Sequence, residues 1–249
     1  MRITFRQKGI GLVYEVLDGR GPVVVFCPGY ASDMGGAKAM RLWEMCRERG
    51  QAMLRFDYAG YGQSGGQFID GCIGDWAADA AQVIEAAACG RELLLVGSSM
   101  GGWIALLLAR ALGERVKAMV LVAPAPDFTE ELMRSELTGE QLEVLRTQGV
   151  IYPPGEYGAP IPLTWKLLED GARHLLLGGE IAVRCPVRVL HGMRDPDVPW
   201  ALSLRLAECL ASDDVRLVFV KDGDHRLSRE ADLALLCGTV GAFLGEDGA

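Results

Sequence analysis

The stretch Leu93-Leu94-Leu95-Val96-Gly97-Ser98-Ser99-Met100-Gly101-Gly102-Trp103-Ile104 decides how the rest of the chain is read. Leu93 to Val96 is a continuous apolar run of strand length, and an apolar helical pattern from Trp103 to Leu112 follows almost at once. Between them lies Gly-x-Ser-x-Gly with Ser99 at its centre. In this nucleophile-elbow pattern a strand turns sharply into a helix and holds the serine at the tip in a strained backbone conformation. Glycine suits positions 97 and 101 because a side chain there would collide where strand doubles back onto helix. The helix N-terminus brings positive dipole character to the place where an oxyanion would form. A glycine-rich turn with an incidental serine would show the same residues; the strand before and the helix after argue against it.

On either side of this stretch, strands and helices alternate. Ile3 to Gln7 and Leu12 to Leu17 read as an antiparallel, hairpin-like start. Pro22 to Cys27 is an apolar strand buried on both faces, leading into the loop from Pro28 to Gly36. A helix from Ala37 to Arg49, closed by Gly50, precedes a strand from Ala52 to Phe56 and the glycine-rich loop from Asp57 to Gly66. A helix from Asp75 to Ala88 leads to the elbow, and Val116 to Val122 is the next strand. This rhythm predicts an α/β fold: one mostly parallel central sheet with helices on both faces.

At residue 127 the rhythm breaks. Thr129 has the chemistry to cap a short helix, and Thr138-Gly139-Glu140-Gln141 has the spacing of a capping box. Residues 150–163 are rich in Tyr, Pro and Gly, and Trp165 to Ala172 is helical in pattern. Residues 127–182 are therefore expected to form a helical lid over the sheet edge where the elbow opens, with 1–126 and 183–249 as the core. Alternation resumes with a strand from Val187 to His191, a helix from Ala201 to Leu210, a strand from Val215 to Val220 and a last helix from Ser228 to Leu244.

Composition narrows the function classes. A chain of 249 residues fits one α/β domain with an insertion, and its net charge of −8 without a Lys/Arg block argues against nucleic acid and anionic membranes as partners. No apolar run reaches membrane-spanning length. The charged, strand-like N-terminus is no secretory signal. The seven cysteines are scattered and lack Cys-x-x-Cys, so they read as reduced core residues of a cytoplasmic protein.

A serine hydroxyl needs a base to take its proton during attack. The three histidines are His174, His191 and His225. His225 follows the last strand, at the carboxyl end where competent groups sit in doubly wound sheets. His191 lies inside an apolar run and reads as a packed, hydrogen-bonded core residue, while His174 falls on the lid. For the acid that orients the base, Asp195 follows the penultimate strand and gives the chain order Ser, Asp, His. Asp197 is a neighbouring alternative, more easily a turn residue, and Asp127 after the preceding strand is another. The oxyanion donors are expected to be the backbone N–H groups of Met100 and, after Gly29, of Tyr30. Tyr152, Tyr157 and Trp165 suggest an apolar wall for an acyl chain.

Several motifs together carry a resemblance: Pro28-Gly29-Tyr30-x-Ser32-Asp33-Met34, Arg55-Phe56-Asp57-Tyr58, the elbow, Leu190-His191-Gly192-Met193, Val198-Pro199-Trp200 and Asp224-His225-Arg226. The chain resembles the serine hydrolases of the α/β-hydrolase superfamily essentially end to end. Within it the chain is similar to the branch of mitochondrial palmitoyl-protein thioesterases and acyl-glucuronide esterases. The resemblance implies Ser99, Asp195 and His225 as a catalytic triad that cleaves acyl esters or thioesters, small molecules or acylated protein, with no metal or organic cofactor. Two departures stand out. Pro28-Gly29 replaces the usual His-Gly before the second oxyanion donor, and the N-terminus lacks an Arg/Ser-rich transit segment, which predicts a bacterial-type cytoplasmic relative.

Overall fold

The computed structural model describes residues 2–7, 9–153 and 160–245. Its strands are β1 (Arg2–Gln7), β2 (Ile10–Leu17), β3 (Arg20–Cys27), β4 (Gln51–Phe56), β5 (Leu93–Ser98), β6 (Val116–Val122), β7 (Val150–Ile151), β8 (Leu163–Thr164), β9 (Val187–Gly192) and β10 (Val215–Val220). The α-helices are α1 (Ala37–Glu48), α2 (Ile73–Ala88), α3 (Met100–Leu112), α4 (Gly139–Gln148), α5 (Trp165–Gly171), α6 (Ala201–Cys209) and α7 (Glu230–Leu244). The main sheet runs β1-β2-β4-β3-β5-β6-β9-β10. The pairings β1–β2 and β2–β4 are antiparallel, and those from β4 to β10 are parallel. The chain order reverses between β3 and β5, the point where open α/β sheets leave a crevice for ligands at their carboxyl ends.

The apolar runs explain the layers. Side chains alternate across a strand, so a continuous apolar run can bury both faces. Leu93 and Leu95 of β5 pack into a core with Trp76, Val83 and Ile84 of α2, Trp103 and Ile104 of α3, and Leu202 and Leu206 of α6. Leu94 and Val96 point the other way, to Leu42 and Cys46 of α1 and Leu236 and Val240 of α7. Helices thus cover both faces, as the alternation predicts.

Helix starts differ from the sequence reading at four places: α2 begins at Ile73 rather than Asp75, α3 at Met100 rather than Trp103, and two more differ in how they are capped. Thr129 does not cap; Thr129–Arg134 is a π-helix whose Glu130 and Glu131 N–H groups both reach the Asp127 carbonyl at 2.9 Å. The Thr129 hydroxyl is buried and has no hydrogen-bond partner among the described residues. The last helix begins at Glu230, because Asp232 folds back and accepts from the Arg229 N–H (3.1 Å) and from its Nε (2.8 Å). The box at Thr138 forms as expected, with Gln141 N to Thr138 Oγ1 at 3.2 Å and Thr138 N to Gln141 Oε1 at 2.9 Å.

Between β6 and β9 the chain leaves the main sheet for the π-helix, α4, the small antiparallel β7–β8 pair and α5. Leu145, Leu163, Leu167, Leu168, Leu176 and Leu177 bury this excursion in the core beside α2 and α3. Polar ties hold it at named points. Trp103 Nε1 donates to the His174 carbonyl (3.1 Å), Gly74 N to Asp170 Oδ2 (2.7 Å) and the Tyr30 hydroxyl to the Pro162 carbonyl (2.9 Å). No helix among the described residues is long and apolar enough to cross a membrane.

Candidate active site

Ser99 sits between β5 and α3 with φ 53° and ψ −122°, a left-handed conformation that costs a non-glycine residue free energy. Its surroundings over-determine it. Ser99 N donates to the Val122 carbonyl (2.9 Å), and the Ser99 carbonyl accepts from Gly102 N (2.8 Å) and Ala125 N (3.1 Å). The elbow glycines are required by close backbone approach. A Cβ at Gly97 would lie 2.3 Å from the Gly101 carbonyl oxygen, as strand meets helix. At Gly101 the obstacle is different from the one the sequence suggests: a Cβ would lie 2.0 Å from the carbonyl oxygen of Cys27, at the end of β3. The elbow is therefore wedged against the neighbouring strand as well as against itself.

That wedge positions the loop after β3. A Cβ at Gly29 would come within 3.3 Å of Ser99 Cβ, so the Gly29-Tyr30 backbone runs directly beside the serine. Asp57, buried after β4, accepts from Met34 N and Gln63 N (both 2.8 Å) and ties this loop to the glycine-rich one. Met100 is buried as the first residue of α3.

His225 stands on the loop after β10. Its Nε2 lies 3.1 Å from Ser99 Oγ, and its Nδ1 lies 2.7 Å from Asp195 Oδ2. The loops after β9 and β10 are zipped together: Arg194 N donates to the Gly223 carbonyl (2.9 Å) and Met193 N to the Val220 carbonyl (2.8 Å). A Cβ at Gly192 would meet the Gly223 carbonyl oxygen at 2.3 Å, so only glycine lets the two loops close.

The Asp195 carboxylate is fully buried and saturated with donors. Oδ1 accepts from Asp197 N (2.9 Å) and Val198 N (2.8 Å), while Oδ2 accepts from His225 and from His191 Nε2 (3.1 Å). Burial pushes this carboxyl up; the hydrogen bonds from His191 and His225 and the amide of Val198 outweigh it and hold it well below the usual carboxylate range. A permanent anion beside Nδ1 favours the tautomer that leaves Nε2 free to accept from Ser99.

The alternatives make no hydrogen bond to His225. Asp127 turns its carboxylate to Leu176 N (2.8 Å) and Leu177 N (2.7 Å). Asp197 contributes its N–H to Asp195 and keeps its own side chain exposed. His174 lies 3.6 Å from Asp170 on the excursion. His191 is fully buried, as expected, but its contact with Asp195 was not legible in the sequence.

Of the expected acyl wall, Tyr152 is 60% exposed and Trp165 packs its ring under the Arg134 guanidinium at 5.6 Å. Tyr157 lies outside the described residues. Tyr30, next to the Gly29 backbone that runs beside the serine, instead centres a ring cluster, its centroid 5.0 Å from Phe68, 6.0 Å from Trp76 and 5.7 Å from Phe128. Phe128 in turn meets Trp103 of the elbow helix edge-on. Asp195, Asp197 and His225 also lie close enough to share a cation, but two of them are already bonded to each other.

A strand–serine–helix elbow at the reversal point of this sheet defines the α/β-hydrolase class. The family described as serine aminopeptidase S33 (Hydrolase_4) matches residues 20–157, and the chain belongs to it. The mitochondrial palmitoyl-protein thioesterase ABHD10 of Rattus norvegicus is 38% identical over 92% of this chain and 77% of that protein. A solved structure from Agrobacterium vitis S4 superposes with a TM-score of 0.93 at 39% identity over 98% of both chains. The α/β-hydrolase domain-containing protein 10 from mouse superposes with a TM-score of 0.88 at 34% identity over 97% of both. The chain is accordingly an α/β-hydrolase enzyme of the esterase and thioesterase type. The expected cytoplasmic location is overturned by the ABHD10 relatives, whose names place them in mitochondria.

Proposed function

We propose that the chain hydrolyses carboxylic esters or thioesters of acyl substrates through an acyl-serine intermediate, with Ser99 as nucleophile, His225 as base and Asp195 as orienter. The observation that carries this reading is the unbroken hydrogen-bonded line from Ser99 Oγ through the His225 ring to Asp195 Oδ2. As Ser99 Oγ attacks the acyl carbonyl, His225 Nε2 takes its proton, and the adjacent carboxylate stabilises the imidazolium without accepting a proton itself. The tetrahedral oxyanion forms beside the N–H groups of Met100 and Tyr30. Its collapse expels the alcohol or thiol, protonated by His225, and the same histidine then activates water to release the acid.

The acyl group lies against Tyr30 and the rings that pack on it, and residues 127–182 act as the lid over it. The thioesterase name of the relatives supports acyl thioesters as the substrate class, including an S-acylated protein. The family's description as an aminopeptidase keeps amide hydrolysis as the second reading.

A fluorophosphonate probe tests the first. It is expected to label Ser99 alone, and Ser99→Ala is expected to lose both labelling and turnover, with kcat down on the order of a millionfold as in a related chemistry. Labelling undiminished in Ser99→Ala would sink the assignment. Thioester, ester and amide of one acyl group, compared by kcat/KM, separate the two readings; an amide turned over fastest would favour the second.

A further inference from the structure

One buried polar group touches the line without a part in the chemistry above. His191, at the end of β9, is fully buried, yet polar atoms surround its ring. Its Nε2 lies 3.1 Å from Asp195 Oδ2 and 3.0 Å from the Val198 carbonyl oxygen; its Nδ1 lies 2.7 Å from Ser203 Oγ. The partners decide the tautomer. A carboxylate and a carbonyl can only accept, so Nε2 carries the hydrogen and donates to both. In the neutral ring Nδ1 then holds a lone pair, and the Ser203 hydroxyl, which can donate, supplies it. Ser203 is itself fully buried on α6, and His191 Nδ1 is the one side-chain partner of its hydroxyl among the described residues.

We propose that His191, its tautomer set by the acceptors at Nε2 and its ring held by Ser203, is a positioning residue that aims the Asp195 carboxylate at His225. The inference rests on the reading of Ser99, His225 and Asp195 as the catalytic line. The two backbone amides on Oδ1 locate that oxygen but leave the carboxylate plane free to turn about it. Oδ2 has two lone-pair sites. His191 occupies one, which fixes the plane and leaves the other directed at His225 Nδ1. The line is thus longer than three residues: Ser203 holds His191, His191 holds Asp195, and Asp195 holds the base. The His191–Asp195 contact is local, four residues apart where β9 runs into its loop, while Ser203 comes from α6 and His225 from the loop after β10. The hydrogen bonds of the His191 ring go to Ser203, Asp195 and Val198 and none to Ser99 or His225, so its effect passes through Asp195.

Variants that separate bulk from hydrogen bonding test this. His191→Leu fills the space without a donor and is expected to lower kcat by about tenfold to a hundredfold, the loss of one hydrogen bond to a charged group. KM is expected to stay within about twofold, because no substrate contact is removed. His191→Gln carries an amide N–H near the place of Nε2 and is expected to restore kcat to within about threefold of the parent. A purely structural role would not make Gln better than Leu. With three histidines in the chain, nitrogen NMR of the rings resolves His191 directly. The expected spectrum has the ring protonated at Nε2 in the parent and in Ser203→Ala, and Ser203→Ala, which frees the ring to turn, is expected to lower kcat by about threefold to tenfold.

Fluorophosphonate titration keeps the two readings apart. If Ser99 is not labelled in the parent enzyme, the catalytic-line reading fails and this inference falls with it. If Ser99 titrates fully and His191→Leu turns over like the parent, or His191 is bare at Nε2, the positioning role is overturned while the catalytic line stands. Should His191→Leu fail to fold, the ring spectrum and the kcat of Ser203→Ala decide: an Nε2–H ring and a lowered kcat support the role, and either one missing overturns it.

Discussion

Asp127 and Asp195 occupy matching places. Each lies in the loop that follows a central parallel strand, β6 for one and β9 for the other, and each has a buried carboxylate that accepts two backbone N–H groups. The rest of their surroundings differs. Asp195 adds two imidazoles; Asp127, at φ 57°, uses its whole carboxylate on Leu176 and Leu177 and so ties the start of the excursion to its far end. The pKa shifts are opposite. Burial raises both carboxyls, but the amides on Asp127 do not offset it, whereas the imidazoles carry Asp195 well below the usual range. Position in the fold nominates an aspartate for a role, and the donors around it assign one.

The largest test of this contrast is catalytic. Asp195→Asn keeps the shape but favours the wrong histidine tautomer, and is expected to lower kcat by about ten-thousandfold, as the same change does in another serine hydrolase. Asp127→Asn is expected to change kcat by less than about tenfold, a barrier difference of ~1.4 kcal/mol. Steady-state kinetics on folded proteins would break the comparison if the two behaved the other way round.

The next test is structural and reverses the order of concern. Asp127→Ala leaves two buried amides unpaired, which is expected to cost about 1–3 kcal/mol of stability and to open the excursion to protease first. Urea melts and the site of the earliest proteolytic cut measure it. Cleavage that begins in the main sheet would mean Asp127 is no clasp.

The smallest effect is the dependence of stability on pH, and its sign differs between the two acids. A depressed carboxyl contributes stability that is present above the unfolded aspartate value of about 3.9 and lost as pH falls through the folded value. Asp195 is of this kind. A raised carboxyl contributes stability present below about 3.9 and lost as pH rises through the folded value. Asp127 is of that kind. Thermal melts against pH are expected to show that Asp195→Asn flattens the acid-side loss of stability, while Asp127→Asn steepens the net rise of stability just above pH ~4 by removing an opposing slope. Identical profiles for the two variants would remove the contrast.

Much of this was legible in the residues. Apolar runs at strand period and apolar stripes at helix period give the α/β alternation, and the capping box at Thr138 is a four-residue pattern that forms as read. The strained Ser99 with its glycines is local as well, so the elbow and its serine could be picked out. His225 could be chosen because the chain has three histidines and one of them follows the last strand. Thr129 misled because an N-cap depends on which neighbouring groups are left without partners; here the chain enters the π-helix through Asp127. Tyr152 misled because ring content says nothing about which way a residue in the loop after a strand faces.

By itself, then, the sequence determined the elements, their order and the identity of the serine, because those follow from periodicity and from backbone sterics within a few residues. Tertiary structure alone decided the rest. Which aspartate meets His225 depends on a contact across 30 residues, the meeting of His225 with Ser99 on one across 126, and the clasp of Asp127 on one across 49. The second obstacle at Gly101 comes from β3, not from its own turn. The hold of Ser203 on His191 depends on how α6 packs over the end of β9. Such contacts leave no period in the chain, because they are fixed by strand order and by the collective closure of loops at one edge of the sheet.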